Sequence, residues 1–151
     1  MIKDKIIYGA TIGILADIVK LAVNYLGYLL GYSKVVFWQM TASRFLVKND
    51  LYKPIAYLIG GLADLTIAAL IGVAFIYLLR ITGRDYHYIK GAGFGLILWV
   101  VLFGTVLSQS IQAKLTLSAT AILVTAVAHI IYGLALSFFA FWLYPENVKP
   151  H

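Results

Sequence analysis

Apolar residues gather along this chain into four long runs, separated by stretches that are short, charged or punctuated by glycine and proline. The runs cover about residues 6–30, 55–79, 91–113 and 119–143. Each is close to the ~20 residues that a helix, rising about 1.5 Å per residue, needs to cross the hydrocarbon of a bilayer. None alternates apolar and polar positions as the strand of a membrane barrel does. In lipid the backbone must satisfy its own hydrogen bonds, so the runs are predicted to be helices. The expectation is an all-α, integral membrane four-helix bundle, a single domain over residues 1–151. The first run begins MIKDKIIYGATIGIL, charged at its start like a secretory signal, but it continues past a signal core and ends without a small-x-small cleavage site. A retained first membrane helix is predicted there.

The connections differ. RITGRDYHYIK, between the second and third runs, is short, basic and rich in tyrosine, and KLTLS, between the third and fourth, is shorter still. The first connection is long and half apolar. In it Val35, Val36, Trp38, Met40, Phe45, Leu46 and Val47 interleave with Lys34, Gln39, Arg44 and Lys48. This pattern predicts an amphipathic segment over about residues 34–48, a short helix lying in the interface or dipping part-way into the bundle. The tyrosines Tyr8, Tyr28, Tyr32, Tyr52, Tyr57, Tyr77, Tyr86, Tyr88 and Tyr144 fall near helix ends, where an aromatic belt is expected.

The polar residues inside the first run are not scattered. Gly9, Gly13, Asp17, Lys20, Asn24, Gly27 and Gly31 recur every three or four residues and share a sector of about 80° on a helix. Glycine at both ends permits close helix contact, and its GxxxG spacing would also permit a homo-oligomer. The polar centre must face protein or water, because lipid offers it no partner. Partners at similar depth are Asp64 in GGLADLTIAALIG and His129 in TAVAHIIYGLAL, so Asp17, Lys20, Asn24, Asp64 and His129 are expected to form one intramembrane polar cluster. One lysine cannot neutralise two ionised carboxylates, so a proton is expected on one carboxyl unless His129 carries one. The end of the third run supplies Thr105, Ser108, Gln109 and Gln112 as a polar mouth.

Composition sharpens this picture. The chain is 62% hydrophobic and 12% charged, against about half and about a quarter in soluble domains. With no cysteine, disulfides, thiolate metal sites and cysteine nucleophiles are excluded. The net charge of +6 is spread over the flanks of the runs, whereas nucleic-acid binding needs a clustered basic face. With an even number of helices, Lys3, Lys5, Arg80, Arg84, Lys90 and Lys149 share a side, and Lys34, Arg44, Lys48, Lys53 and Lys114 the other. The first group lies nearer the helix ends, which predicts both termini in the cytoplasm.

No Walker, HExxH, GxSxG or kinase signature is present. GAGFG at residues 91–95 opens a membrane helix and is read as a packing motif, and Asp85 with His87 is too common a loop pairing to define a hydrolase. No second histidine stands at metal spacing from His129, so neither metal nor cofactor is expected, and no catalytic residue. The order of features, with Gly9, Gly13 and Lys20 in the first helix and AHIIYG (His129, Tyr132, Gly133) in the last, resembles the small bacterial inner-membrane proteins of the YqhR and YagU type over most of the chain. The resemblance implies four helices and a bacterial cytoplasmic membrane, carries no activity with it, and does not extend to Asp17 or Asp64. Two roles are open to these residues: a small transporter-like or channel-like protein using the polar cluster for a proton or ligand, or a structural or assembly protein, with a membrane partner, whose cluster only fixes packing.

Overall fold

A computed structural model describes residues 4–143, and among them every regular element is helical. In chain order they are α1 (Lys5–Leu29), α2 (Phe37–Ala42), α3 (Pro54–Thr82), α4 (His87–Val101), α5 (Ser108–Lys114) and α6 (Ala119–Leu143). A 3₁₀ turn occupies Lys48–Asp50, and a π turn over Leu102–Val106 joins α4 to α5. Four helices are long and apolar enough to cross a membrane: α1, α3, α6, and α4 extended through its π turn.

Local chemistry explains the boundaries. Asp4 caps α1, its Oδ1 accepting from the amides of Ile6 at 2.7 Å and Ile7 at 3.2 Å. At the other end Gly31 takes φ +78, the Tyr32 amide donates to the Gly27 carbonyl at 2.9 Å and the Gly31 amide to Tyr28 at 3.0 Å. That is a Schellman ending, which satisfies the last carbonyls of the helix. Pro54 opens α3, where its missing N–H costs nothing. The last carbonyls of α3 receive the Lys90 ammonium, 2.8 Å from Thr82 O and 3.1 Å from Gly83 O. The connection from α3 to α4 is only residues 83–86, and the third of the four long apolar helices begins at His87 rather than at Gly91.

That helix also ends differently from expectation. Instead of running unbroken to residue 113, it widens at Leu102–Val106, where the Leu107 amide reaches back to the Leu102 carbonyl at 2.7 Å. The wider turn re-aims α5, so that Ser110 and Ile111 face inward and become buried.

The bundle is ordered α3–α1–α6–α4, with α1 against both α3 and α6 and α4 against α6. Two glycine-lined antiparallel crossings set it. Gly9 and Gly13 meet Ala68, Gly72 and Val73 between α1 and α3, while Gly91 and Gly95 meet His129 and Gly133 between α4 and α6. The GxxxG spacing of α1, at Gly9 and Gly13, is thus used inside the chain. Gly93 of the GAGFG motif meets nothing within 4 Å, so only its outer glycines pack.

Between α3 and α4 contact is slight, and α2 fills the gap from one end. Its helix is shorter than the predicted amphipathic segment and is buried: Phe37, Gln39, Met40, Thr41 and Ala42 all lie inside. Gln39 holds it there, accepting from the Val36 amide at 2.9 Å and donating to the Leu51 carbonyl at 2.9 Å. Two apolar clusters result. One, built on Tyr8, Ile12, Phe75, Leu79 and Leu136, fills the end holding the start of α1. The other, built on Phe37, Met40, Leu51, Leu107 and Ile111, fills the end closed by α2. Tyr8 belongs to the first cluster and not to an aromatic belt, its hydroxyl donating to Ala140 O at 2.6 Å. Tyr28, Tyr32, Tyr52, Tyr57, Tyr77, Tyr86 and Tyr88 are exposed, and Tyr144 lies outside the described residues, as do Lys3 and Lys149.

Candidate functional site

Between the two apolar clusters lies the charge that α1 carries into the bundle. Asp17 and Lys20 stand one turn apart, and Lys20 Nζ is 2.5 Å from Asp17 Oδ1. The same ammonium lies 2.8 Å from Oδ1 of Asp64 on α3. Gly13 and Gly72 bring the two helices together about two turns away, which helps put Asp64 within reach of Lys20. All three side chains are buried, Asp17 completely. Withdrawing such groups from water costs several kcal/mol each, so they persist only because they serve one another.

The service is incomplete. Asp17 Oδ2 and Asp64 Oδ2 are buried and have no hydrogen-bond partner among the described residues. One ammonium faces two carboxylates, so the fully ionised triad carries a net charge of −1. Aromatic faces supply the rest of the ammonium's surroundings: Phe37 of α2 has its ring centroid 4.2 Å from Lys20 Nζ, and Tyr132 of α6 has its own at 5.6 Å. Both are at cation–π range.

The remaining members of the expected cluster stand apart from this contact. Asn24 donates to the Lys20 carbonyl at 3.1 Å and so bonds its own helix. His129 is buried, but its Nδ1 lies 2.7 Å from the Thr125 carbonyl, and its ring lies between Phe37 at 5.8 Å and Phe103 at 5.7 Å. It is a neighbour of the triad through Phe37 and makes no ion pair with either carboxylate. The polar mouth is not gathered on one lining. Thr105 is exposed and donates to the carbonyl of Val101, Gln109 is exposed, and only Ser108 and Gln112 pair, at 3.4 Å, beside an outer recess of about 230 Å³. The inward polar residue at that end is Ser110, met by Ser43 Oγ at 3.3 Å. Lys114 closes over the pair, donating to Ser43 O at 2.6 Å.

Phe37, Tyr132 and Phe103 are the site residues that the polar pattern alone misses. Tyr132 carried a signal, lying three residues after His129 and therefore on the same face of α6. Phe37 lies in a connection and carried none. Among the described residues no group of three His, Asp or Glu side chains could hold a metal ion. Neither a family model, nor a curated protein, nor a solved structure matches the chain.

Proposed function

We propose that this is a small transporter-like, multi-pass protein of the bacterial cytoplasmic membrane, in which the Asp17–Lys20–Asp64 triad carries a proton at mid-membrane depth. The observation behind the proposal is the surplus carboxylate: two buried acids share one ammonium, and an oxygen of each is left without a donor. A proton on either acid brings the triad to neutrality, the cheaper state in a medium of low dielectric.

The acids differ in what protonation does. Asp17 and Lys20 form a neutral pair within α1, so a proton on Asp64 leaves that pair intact and loosens the only ionic link between α1 and α3 among the described residues. Asp64 is therefore assigned as the carrier, Lys20 as the counter-ion and Asp17 as the group that holds Lys20 in place. Asn24 and His129 shape the surroundings. No bond-making chemistry is assigned to any residue. Both termini are assigned to the cytoplasm, because Lys5, Arg80, Arg84 and Lys90 crowd that end of the helices.

A purely structural role is the second reading, and the same link favours it, since Lys20 bridges α1 and α3 beside their glycine crossing. It accounts for the bridge and leaves the second carboxylate unexplained. The deciding measurement is proton flux into liposomes holding the purified chain, driven by a pH gradient and read with an enclosed dye. Wild type should conduct, and Asp64→Asn, which keeps the neutral Asp17–Lys20 pair, should abolish flux while eluting and melting as a folded protein. A silent wild type, or undiminished flux in the folded variant, would leave the structural role.

A further inference from the structure

Lys20 carries its charge on a flexible four-carbon stem, so the stem alone does not fix where the ammonium stands. An ammonium has three N–H donors. Two carboxylate oxygens lie within reach, Asp17 Oδ1 at 2.5 Å and Asp64 Oδ1 at 2.8 Å, and among the described residues Nζ makes no other hydrogen bond or ion pair. One donor is therefore left without an oxygen in a buried site, where an unserved polar group is costly. What the ammonium meets instead is aromatic: the Phe37 centroid at 4.2 Å, with Tyr132 farther off at 5.6 Å.

The nearer ring comes from outside the four long helices. Phe37 opens α2, and α2 lies on α3 at Gly60 and Gly61. A Cβ on Gly60 would collide with the Trp38 carbonyl, and one on Gly61 would meet the Trp38 indole at 3.2 Å. Gly60 stands one turn before Asp64. The missing side chain lets α2 settle within a turn of that acid, and the first residue of α2 then reaches the ammonium paired with it. Tyr132 is held elsewhere, its hydroxyl donating to Ala68 O at 3.3 Å.

We infer that Phe37 is a positioning residue for proton transfer at Asp64, its ring serving as the third ligand of the Lys20 ammonium and keeping it between the two acids. This rests on reading the triad as a proton carrier. When Asp64 takes its proton, the ammonium loses one ionic partner. Asp17 and the Phe37 ring then hold it in place for the moment the proton leaves. An aliphatic side chain of the same size would fill the space but offers no negative face to the ammonium.

The test replaces Phe37 in the full chain with mono-, di- and trifluorophenylalanine, which keep the ring close to its own size while draining its negative face. Cyclohexylalanine in the same place removes that face altogether. Two readouts are taken: proton flux in liposomes, and the exchange of the Lys20 ammonium protons with water, by NMR of isotope-labelled lysine in micelles. Lys20 is the one buried lysine among the described residues, so its signal should be the slowest to exchange. Exchange should quicken and flux should fall stepwise with fluorine, each by about tenfold over the series, with cyclohexylalanine at its far end. Exchange that ignores fluorine overturns the inference whatever the flux. Flux that ignores fluorine overturns it too, and leaves the proton carrier standing. Exchange that steps with fluorine in a chain that moves no proton overturns the carrier and the transfer role with it, while the hold of the ring on Lys20 stands.

Discussion

A Cβ placed on Gly72 of α3 would come within 2.6 Å of the Cα of Gly13 on α1. That approach fixes the distance between the helices, and with it the reach of Lys20 to Asp64. Gly72→Ala should cost about 1–3 kcal/mol, as overpacking does where backbone rather than a flexible side chain must move. Gly93, which faces open space, should accept alanine with a change within about 0.5 kcal/mol. Equilibrium unfolding in mixed micelles compares the two, and equal losses would mean that the crossing does not set the spacing.

Removing one member of the ionic triad should hurt more than removing all of it. Lys20→Met strands two buried carboxylates and should lower stability by about 3–5 kcal/mol, whereas Asp17→Asn, Lys20→Met and Asp64→Asn combined should recover most of that loss. Asp64→Asn alone should fall between them. The same unfolding assay ranks the variants, and a triple variant as weak as Lys20→Met would contradict the assignment.

The seating of α2 depends on one side chain. Gln39→Leu leaves the Val36 amide and the Leu51 carbonyl without their partners, at about 1–3 kcal/mol for each buried group. The effect should be local, so hydrogen exchange should quicken at residues 37–42 before it does in α1 or α6. Uniform quickening would show that α2 is not a separately held unit.

Orientation can be read directly, because the chain has no cysteine of its own. Asp85→Cys should resist a membrane-impermeant maleimide in intact cells, and Ser118→Cys, at the opposite end of the bundle, should react. The reverse pattern would place the termini outside.

How far the sequence discloses this molecule depends on which physical constraint acts where. Four helices long and apolar enough to cross a membrane are legible because a bilayer would leave such runs no other backbone solution. Asp17 and Lys20 are legible as an interior face because glycine and polar residues keep one stripe through α1. Asp64 is legible from its depth. His129 has the same depth, but depth along an axis says nothing of rotation about it, and α6 turns His129 toward Phe37 and Phe103 instead of toward the acids. In the first connection the polar pattern leaves two places open for the short helix, the interface or part-way into the bundle, and α2 takes the buried one. Gln39, Thr41 and Ser43 are polar, yet each is buried with its side chain donating to a carbonyl, of Leu51, Phe37 and Met40 respectively. The π turn has no proline to announce it, and only Gly104 in LFGTV hints at an irregular helix.

The pairing of Asp17 with Lys20 inside a single helix also bears on how the chain is made. α1 precedes α3 along the polypeptide, and its two central charges already cancel each other. The next spanning helix, α3, brings Asp64 with no counter-ion of its own. In α1, the helix that precedes it along the polypeptide, it meets a lysine able to serve two acids. The order of the helices along the polypeptide therefore places the self-neutral helix before the one whose acid needs a counter-ion.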